Sequence, residues 1–517
     1  MRGVLSREQA REFDLLAVAR TQMPSVLLME NAGRGAAEKL LALRNGNPGF
    51  VLVLAGPGNN GGDGFVLARR LLVLGHAVEV WLIGEQSKLI GDAKVMWEAY
   101  RGLGGAHCVL SDEVDLPRLK AAIGAANVIV DALFGTGLTR AIDGLYARVI
   151  EATYGCSAFV YALDIPSGLD TNRGRALGVA VRAHATVTFG AEKLGHFTTD
   201  GVDYGGQLEV VDIGVPADLH LQSGHSAERY EAQDLAPRLA HRRASSHKGR
   251  AGRVAIIAGH AGTSGAALLA ARGALRAGAG LVTHVGLPKT IGGIEPRVLE
   301  AMTHCLDPLA LEQSVAQALQ GMDAAVLGPG LGLGAEERRI VAQVIEQAPM
   351  PVVVDADALT KLSEEPSLLK HARGPRILLP HPGELGRLLH ITTAEVVDDP
   401  FGAVRRAVEN LHAIVVLKSA YTLVGAPNQK KTAIVGSPCA AMGTGGSGDV
   451  LSGVIAALLV EHEPQLAALL GVHLHGRAGI LWARALGADR GLVASEIADH
   501  LPQAFAELSR AGDRLTV

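Results

Sequence analysis

The sequence of 517 residues contains few cysteines and few aromatic residues. Its four cysteines are far apart, with neither a CxxC pair nor zinc-ligand spacing, so nothing indicates a disulfide scaffold or a structural zinc site. They are Cys108, Cys156, Cys305 and Cys439. Neither sign of charge dominates, since 48 Lys and Arg residues balance 52 Asp and Glu residues. The overall charge therefore does not indicate a nucleic-acid or membrane partner.

The sequence also shows neither a long apolar run nor a segment that resembles a secretory signal. Residues 1–20 carry scattered charges, unlike a secretory signal. By inspection no run reaches the roughly 18 apolar residues that a membrane span needs. We therefore expect a protein of the reducing cytoplasm, without a membrane partner.

Glycine, in contrast, is abundant, with 64 residues, and the length exceeds the roughly 250 to 300 residues at which a single core stops growing. Short β-branched runs alternate with Ala/Leu-rich stretches on both sides of a break near 215–248. This pattern predicts two α/β domains, each a parallel sheet covered by helices. Apolar residues make up 48% of the chain, which permits large subunit contacts, and we expect a homo-oligomer.

A glycine-rich turn, AGPGNNGGDG, follows the first predicted strand at 50–56 and leads into a helix. Glycines in such a turn let backbone amides approach a diphosphate, and the helix dipole favours the negative charge. Asn59, Asn60 and Asp63 exceed what a tight turn needs. A turn that binds no ligand is the alternative that this pattern leaves open.

Polar side chains also end two further predicted strands. Asp131 lies in DALFGTGLTRAI, and Asp164 and Ser167 lie in LDIPSGLD. Because ligands gather at the carboxyl ends of parallel strands, we expect these groups beside the glycine turn. A capping or turn role for the two aspartates is the alternative.

Together with NAG at 31–33 and VDIG at 211–214, these segments resemble the YjeF N-terminal domain, the NAD(P)HX epimerase family, over about residues 1–216. The resemblance implies a Rossmann-like three-layer domain that inverts the hydroxyl-bearing carbon of a hydrated nicotinamide dinucleotide. It implies a potassium ion held by Asn60, Asp131 and Ser167. Asp164 would be the acid/base group, acting directly or by orienting the substrate. The implied substrate contacts are Asn59, Asn60, Gly61, Gly62, Asp63, Gly135, Thr136, Gly137, Leu138, Thr139, Arg140, Ala141 and Asp164.

The second half carries another glycine loop, MGTGGSGDVLSGVIAAL, that leads directly into a helix. Amides from Gly445 to Gly448 would stabilise charge on a transferring phosphoryl group. Asp449, on the first turn, is a plausible base for a substrate hydroxyl. A simple helix cap is the alternative for this carboxylate.

This loop resembles the GxGD anion hole of the ribokinase-like superfamily. With GHAGTSGAALLAARGALRAGAGLV, GPGLG, VVVDADAL, PHPGEL and VLKSAYT in this order, residues from about Gly249 onward resemble the ADP/ATP-dependent NAD(P)HX dehydratase. The resemblance implies a ribokinase-like three-layer α/β domain. The implied contacts to the hydrated dinucleotide are Ala266, Gly330, His381 and Asp449. The implied contacts to the adenosine nucleotide are Lys418, Ser419, Ala420, Tyr421, Thr422 and Gly448.

The reaction implied by this resemblance starts when Asp449 deprotonates the hydroxyl of the hydrate. The oxygen attacks the terminal phosphate of ADP, and elimination of the phosphate ester regenerates the dihydronicotinamide, with AMP and phosphate as products. Magnesium would accompany ADP, which family analogy favours over ATP, and the sequence does not choose between NADHX and NADPHX. Two positions differ from the family pattern, since Thr263 replaces a common aromatic residue and GSGD replaces GTGD.

Two residues of PHPGEL keep two interpretations. His381 either contacts the substrate or has a capping or packing role. Glu384 either helps bind magnesium through water or starts the next helix.

The predicted organisation is an epimerase domain at 1–216, a linker at 217–248 and a dehydratase domain at 249–517. Two alternatives remain at this stage. A ribokinase-like small-molecule kinase would keep GSGD but has no need for the upstream glycine turn. A non-catalytic N-terminal scaffold need not retain Asn60, Asp131, Asp164 and Ser167, all of which are present.

Overall fold

The computed structural model describes residues 1–216, 218–222, 224–242, 245 and 247–513. The chain forms two compact units, Arg2–Ala227 and Glu228–Val517, with Met1 belonging to the second. The division lies inside the range 217–248 that the sequence predicted as a linker. Some residues of that range and of the predicted dehydratase domain lie outside the described residues; they are Ala217, Ser223, Arg243, Ala244, Ser246, Arg514, Leu515, Thr516 and Val517.

The predicted linker contains more regular structure than the sequence suggested. Helix Leu219–Gln222, strand Ala227–Tyr230 and helix Ala232–Leu235 all lie within it. Leu235 is fully buried and belongs to the main core of the second unit. The segment lacks a clear period in sequence because these elements are only four residues long.

The first unit alternates strands and helices as predicted. Its strands are β1 (Arg2–Leu5), β2 (Val51–Ala55), β3 (Val78–Ile83), β4 (Ala106–Leu110), β5 (Val128–Ala132), β6 (Phe159–Leu163), β7 (Ala185–Phe189), β8 (Glu192–Lys193) and β9 (Gln207–Val211). Its helices are α1 (Arg7–Thr21), α2 (Ser25–Leu43), α3 (Asn59–Val73), α4 (Gly91–Gly102), α5 (Leu116–Ala125), α6 (Gly144–Ala152), α7 (Thr199–Gly205) and α8 (Leu219–Gln222).

The main sheet of this unit is parallel, in the order β4-β3-β2-β5-β6-β7-β9. Alternate residues of β2 enter separate cores on its two faces, with Val53 on one side and Leu54 on the other. Phe65 of α3 packs in the first core, and Leu119 of α5 in the second. The predicted three-layer architecture is confirmed, and it brings the carboxyl ends of β2, β5 and β6 together.

The second unit has the same alternation over a longer chain. Its strands, starting with the one that crosses the division, are β10 (Ala227–Tyr230), β11 (Arg253–Ile257), β12 (Leu281–Gly286), β13 (Met302–Cys305), β14 (Ala324–Leu327), β15 (Val352–Val354), β16 (Arg376–Leu378), β17 (Ile414–Leu417), β18 (Thr422–Gly425) and β19 (Thr432–Val435). Its helices are α9 (Ala232–Leu235), α10 (Ser264–Arg276), α11 (Pro288–Ile294), α12 (Leu311–Leu319), α13 (Ala335–Gln347), α14 (Asp357–Glu364), α15 (Pro382–Leu389), α16 (Thr393–Asp398), α17 (Pro400–Leu411), α18 (Ser447–Leu458), α19 (Pro464–Leu486) and α20 (Ala494–Asp513).

The sheet of this unit is parallel from β13 to β17, continues with the antiparallel strands β18 and β19, and then reaches β10. Strands β18 and β19 thus differ from the parallel pairing that the strands from β13 to β17 share with the prediction. The continuous run 413–425 reverses direction after Leu417, because four residues suffice to join antiparallel strands. Successive residues Ile256 and Ile257 of β11 are both buried, so the sheet is covered on both faces.

Helix α19 is long and apolar enough, by length and composition, to cross a membrane, which visual inspection of the sequence did not suggest. Two thirds of its apolar window is nevertheless buried inside the protein. Leu470 and Leu474 belong to the core that α19 shares with β11 and α18. The helix is therefore a core helix of this unit.

Candidate functional sites

The glycine turn of the first unit differs from its predicted form, because α3 already begins at Asn59. Asn59, Asn60 and Asp63 therefore lie on the first helical turns. A Cβ atom on Gly61 would lie 1.8 Å from the carbonyl oxygen of Gly56, and one on Gly56 would lie 2.2 Å from that of Leu133. These two glycines are required by close backbone packing, in addition to any ligand.

The motifs NAG and VDIG, which supported the family resemblance, contact each other. The side-chain amide of Asn31 donates a hydrogen bond to the carbonyl oxygen of Ile213, at 2.9 Å. A Cβ atom on Gly33 would lie 2.4 Å from Cβ of Val66 in α3. Both motifs thus secure α2 against its neighbours and do not themselves form the polar site.

Asp131 and Ser167 meet at the carboxyl ends of β5 and β6, as predicted. Ser167 donates to both carboxylate oxygens of Asp131, from its hydroxyl at 2.6 Å and from its amide at 2.7 Å. Burial raises the pKa of Asp131 to about 6, against the lowering effect of these hydrogen bonds. Among the described residues, no lysine or arginine forms an ion pair with this carboxylate.

Asn60, like Asp164, lies beside Gly135. It is buried, and neither its Oδ1 nor its Nδ2 has a hydrogen-bond partner among the described residues. A Cβ atom on Gly135 would lie 3.1 Å from Oδ2 of Asp164 and 3.4 Å from the side chain of Asn60. An unsatisfied buried amide is costly, so the Asn60 side chain is a candidate to bind a ligand.

Asp164 adopts a left-handed backbone conformation, with φ of 66°, which is uncommon for residues other than glycine. Its Oδ1 accepts hydrogen bonds from Nζ of Lys193 at 2.6 Å and Oγ1 of Thr188 at 3.2 Å. Its Oδ2 accepts one from the amide of Thr136 at 3.1 Å, and Nε2 of His196 lies 3.0 Å from its carbonyl oxygen. A backbone in this conformation, held by several partners, is typical of a functional residue.

The environment of Asp164 and Asp63 shifts the pKa values of these two carboxyl groups in opposite directions. Burial alone would raise the pKa of Asp164, but the ammonium of Lys193 and the amide of Thr136 outweigh it and hold that pKa below its usual value. Burial raises the pKa of Asp63 well above its usual value, and the charges of Asp164 and Asp14 raise it further. The pKa values of these two neighbouring carboxyl groups are therefore shifted in opposite directions, which is the pattern expected of an acid and a base in one site.

The predicted substrate loop Gly135 to Ala141 is only partly directed at this site. Thr136 contacts Asp164, but Leu138 is 9% exposed and packs in the hydrophobic core with Val149 and Val160. Gly137, Thr139, Arg140 and Ala141 are exposed. The structure thus places the loop's first two residues beside Asp164, buries Leu138 in the core and leaves the other four residues at the surface.

In the second unit, the carboxyl ends of β15 and β17 place Asp355 and Lys418 side by side. Their Oδ1 and Nζ atoms lie 2.5 Å apart, and Asp355 is 1% exposed. A Cβ atom on Gly448 would lie 3.3 Å from Nζ of Lys418 and 3.6 Å from Oδ2 of Asp355. The predicted nucleotide residues Lys418 and Gly448 are therefore adjacent.

Asp449 is the third residue of α18, on the first turn as predicted. Burial raises its pKa to about 6, and the charges of Asp355 and Asp357 raise it further, against the lowering effect of Lys418. A carboxylate with a pKa close to the working pH is suited to proton transfer.

His381 and Glu384 form a capping box at the start of α15. Nδ1 of His381 accepts hydrogen bonds from the amides of Gly383 and Glu384, and the Glu384 carboxylate accepts one from the amide of His381 at 2.8 Å. Both residues therefore play the structural role that the sequence left open. Because Nδ1 is an acceptor, Nε2 carries the proton, and the side chain is about half exposed and free to contact a substrate as well.

Ala266 and Gly330, predicted to contact the hydrated dinucleotide, are neighbours. A Cβ atom on Gly330 would lie 3.0 Å from that of Ala266. Thr263 replaces an aromatic residue of the family pattern, and its hydroxyl donates to the carbonyl oxygen of Gly330 at 2.7 Å. The loop after β11 is thus fixed to the turn after β14 by a hydrogen bond.

Residues 418–421 form the turn between β17 and β18, Thr422 begins β18, and these residues have different environments. Ser419 donates a hydrogen bond to the carbonyl oxygen of Tyr421. Tyr421 is 8% exposed, and its ring lies 5.9 Å from the guanidinium of Arg229. Lys418 is therefore the side chain of this turn that the structure places next to Gly448, while Tyr421 is packed.

Sequence reasoning missed four polar residues at these sites, Thr188, Lys193, His196 and Asp355. A signal existed for Lys193, which shortly follows the β-branched run ATVTF, and for Asp355, which follows the three valines of VVVDADAL. Nothing in the sequence linked Thr188 or His196 to Asp164.

Comparisons with known proteins agree with this arrangement. Residues 25–195 match the family of YjeF-related protein N-termini, and residues 254–503 match the NAD(P)H-hydrate dehydratase family. The bifunctional NAD(P)H-hydrate repair enzyme Nnr of Moorella thermoacetica is 37% identical over 96% of this chain and 95% of its own length. The Escherichia coli enzyme of that name is 37% identical over 86% of this chain and 83% of its own.

Among solved structures, the chain is similar to the ADP/ATP-dependent NAD(P)H-hydrate dehydratase of Bacillus subtilis, co-crystallised with ATP and Mg²⁺. The identity is 30%, the TM-score is 0.48, and the match covers 55% of this chain and 99% of that one. The expected fold class, a Rossmann-like and a ribokinase-like α/β domain, is confirmed. From its near full-length similarity to these relatives, the chain belongs to the family of bifunctional NAD(P)H-hydrate repair enzymes.

Proposed function

We propose that this protein repairs hydrated nicotinamide dinucleotides, with an epimerase site in its first unit and an ADP-dependent dehydratase site in its second. The observation that carries the proposal is the presence of two separate carboxylate sites in one chain, around Asp164 and around Asp449. Hydration produces two epimers, and a dehydratase that takes one of them needs an epimerase to use the other. The substrates are the hydrates of NADH and NADPH together with ADP.

The epimerase site holds two carboxyl groups that could serve as proton donor and acceptor. Bonds at the carbon that bears the hydroxyl must break and form again with proton transfer. In this proposal Asp164, whose pKa is held low, accepts a proton, and Asp63, whose pKa is raised by burial, donates one. Lys193 holds the Asp164 carboxylate in one orientation and keeps it ionised.

In the dehydratase site, the Asp449 carboxylate takes the proton of the substrate hydroxyl. The oxygen forms a bond to the β-phosphorus of ADP, the bond from that phosphorus to the bridging oxygen breaks, and AMP leaves. Loss of phosphate and of a proton from the neighbouring carbon then gives the dihydronicotinamide. Amides at the start of α18 and the ammonium of Lys418 stabilise the phosphate charge, and Mg²⁺ accompanies the nucleotide.

A potassium ion in the first unit fits the residues present. Asn60 has a buried carbonyl oxygen without a partner, and Asp131 is a buried carboxylate whose pKa is raised to about 6. With the hydroxyl of Ser167, they form a set of hard oxygen ligands suited to a hard cation. The bound ion would supply positive charge beside Asp131. This charge would hold in place the loop that follows β5, so that it can receive the substrate.

Replacing Asn60 with alanine is expected to weaken potassium binding by at least about tenfold, because one of three proposed side-chain ligands is lost. The measurement is the epimerisation rate as a function of KCl, with choline chloride keeping the ionic strength constant. Dehydration by the same protein, followed with pure S epimer, is the internal control. A wild-type epimerisation rate that is the same in choline and potassium salts would contradict the ion site.

The pKa of Asp449 predicts the pH dependence of dehydration. The base works in its ionised form, so the rate is expected to fall about tenfold per pH unit as the pH decreases below about 6, and to level off above it. The measurement is kcat/KM for the S epimer between about pH 5 and 8 with saturating Mg·ADP. A rate that rises as the pH falls through this range would show that the group acts as an acid.

The overall assay uses purified protein, a mixture of NADHX epimers, Mg²⁺ and either ADP or ATP, and follows the absorbance of regenerated NADH. Complete conversion supports both activities and identifies the nucleotide. Conversion that stops when the S epimer is consumed would mean that the first unit is inactive. No conversion would contradict the proposal and favour a small-molecule kinase.

We also propose that the protein works in the cytoplasm. All four cysteines are free, which fits a reducing compartment.

A further inference from the structure

The amides that would receive the nucleotide phosphate lie at the start of α18, directly after a strongly bent loop. Gly446 precedes the helix with φ of 88°, and Ser447 and Gly448 are its first two residues. A loop of this kind needs support from outside, because its own glycines allow many conformations. The neighbouring helix α19 provides it.

His475 of α19 contacts the first residue of α18. The ring is 7% exposed, and its Nε2 lies 2.9 Å from the carbonyl oxygen of Ser447 and 3.3 Å from the hydroxyl of the same residue. A carbonyl oxygen only accepts hydrogen bonds, so Nε2 carries the proton and donates it. Burial and the charge of Lys418 lower the pKa of His475 to about 4, which keeps the ring neutral.

A second contact on the same face of α19 holds the other end of the loop. Gly479 follows His475 by one helical turn, and a Cβ atom there would lie 2.4 Å from Sδ of Met442. Met442 ends the short 3₁₀ turn that precedes the glycine loop. The helix therefore holds the loop at Met442 and at Ser447, on either side of its glycines.

The hydrogen bond from His475 also orients a specific amide. In a trans peptide the carbonyl of one residue and the N–H of the next point in opposite directions across one rigid plane. Holding the carbonyl of Ser447 on the α19 side therefore turns the N–H of Gly448 to the opposite side. A Cβ atom on Gly448 would lie 3.3 Å from Nζ of Lys418, so this residue faces the ammonium of the nucleotide site.

We propose that His475 is a positioning residue for dehydration, which holds the peptide between Ser447 and Gly448 so that its N–H points at the phosphate of the nucleotide. The inference rests on the proposed dehydratase function and adds a residue that touches neither substrate. Because misplacement of a donor by about 1 Å can cost about 100-fold in rate, loss of this hydrogen bond is expected to affect turnover strongly.

The test compares His475→Ala, which removes the donor, with His475→Gln, whose amide N–H can replace Nε2. His462→Gln is the matched control, since His462 is a half-buried histidine just beyond the far end of α18. The measurements are kcat, KM for the S epimer, Kd for Mg·ADP by calorimetry, and the melting temperature. For His475→Ala we expect kcat to fall about 10- to 100-fold and Kd for Mg·ADP to rise, with KM for the S epimer within about twofold. His475→Gln is expected to recover most of kcat, and His462→Gln to behave like the wild type.

Two outcomes would overturn the inference. One is a His475→Ala protein with a lower melting temperature but unchanged kcat and Kd for Mg·ADP, which would indicate a structural role only. The other is a His475→Gln protein as impaired as His475→Ala. A wild type without dehydration would contradict the proposed function instead, and the Kd values for Mg·ADP would then decide on His475 alone.

Discussion

Replacing Asp449 with asparagine is expected to lower kcat for dehydration by about 1,000-fold while leaving the protein at least as stable as the wild type. The loss follows because the amide cannot take the proton of the substrate hydroxyl, and general base catalysis contributes roughly 100- to 10,000-fold. The stability follows from the pKa, which is raised to about 6 by burial and by Asp355 and Asp357. A carboxylate whose pKa is raised on folding destabilises the folded protein when it is ionised, above the pKa of the unfolded chain.

The measurement is single-turnover dehydration of the S epimer, beside thermal unfolding at about pH 8, where the wild-type carboxylate is ionised. Epimerisation of the R epimer by the same variant is the internal control, because Asp449 lies in the other unit. A variant that dehydrates within about fivefold of the wild type would assign Asp449 the simple capping role. A marked fall in the melting temperature would show that its charge stabilises the fold.

For Asp164 we also expect the asparagine variant to lose the activity of its site, which here is epimerisation. Unlike the Asp449 variant, it is expected to be less stable than the wild type. Asp164→Asn is expected to abolish epimerisation, so that a mixture of epimers is converted only until the S epimer is exhausted. It also leaves the ammonium of Lys193, whose side chain is 5% exposed, without its charged partner. Loss of one partner of a buried ion pair lowers the free energy of unfolding by roughly 3 kcal/mol.

The double variant Asp164→Asn with Lys193→Met separates the two effects. Removing both charges is expected to restore most of the stability but none of the epimerisation. The measurements are chromatographic separation of the epimers over time and urea unfolding of each variant. Epimerisation that persists in Asp164→Asn would show that the carboxylate only orients the substrate, and loss of dehydration as well would contradict the separation of the two sites.

Much of this architecture could be predicted, since β-branched runs and glycine turns mark the parallel strands. Asp131, Ser167 and Asp164 could be placed together for the same reason, because adjacent parallel strands end at one edge of the sheet. Lys193 could not, since it comes 29 residues after Asp164 and reaches it only through the path of β7 and β8. His475 was hidden because a polar residue in an apolar helix carries no sign of its partner.

Interpretation of single motifs was less successful where one residue has two roles. His381 and Glu384 cap α15, although the sequence could not separate capping from ligand binding. The turn at Lys418 reads as one continuous strand, because the hydrophobic pattern of 413–425 continues across it. Such details depend on tertiary contacts that local patterns do not contain.

The backbone packing around Gly56 and Gly61 has a consequence for affinity. Each glycine is pressed against a carbonyl oxygen of its own domain, so the turn reaches its shape through folding, before any substrate arrives. A loop that must be ordered by its ligand gives up part of the interaction energy as lost conformational entropy, about 1 to 2 kcal/mol for each residue fixed. Here that conformational entropy has already been lost during folding. A hydrate present at low concentration therefore binds to a preorganised surface.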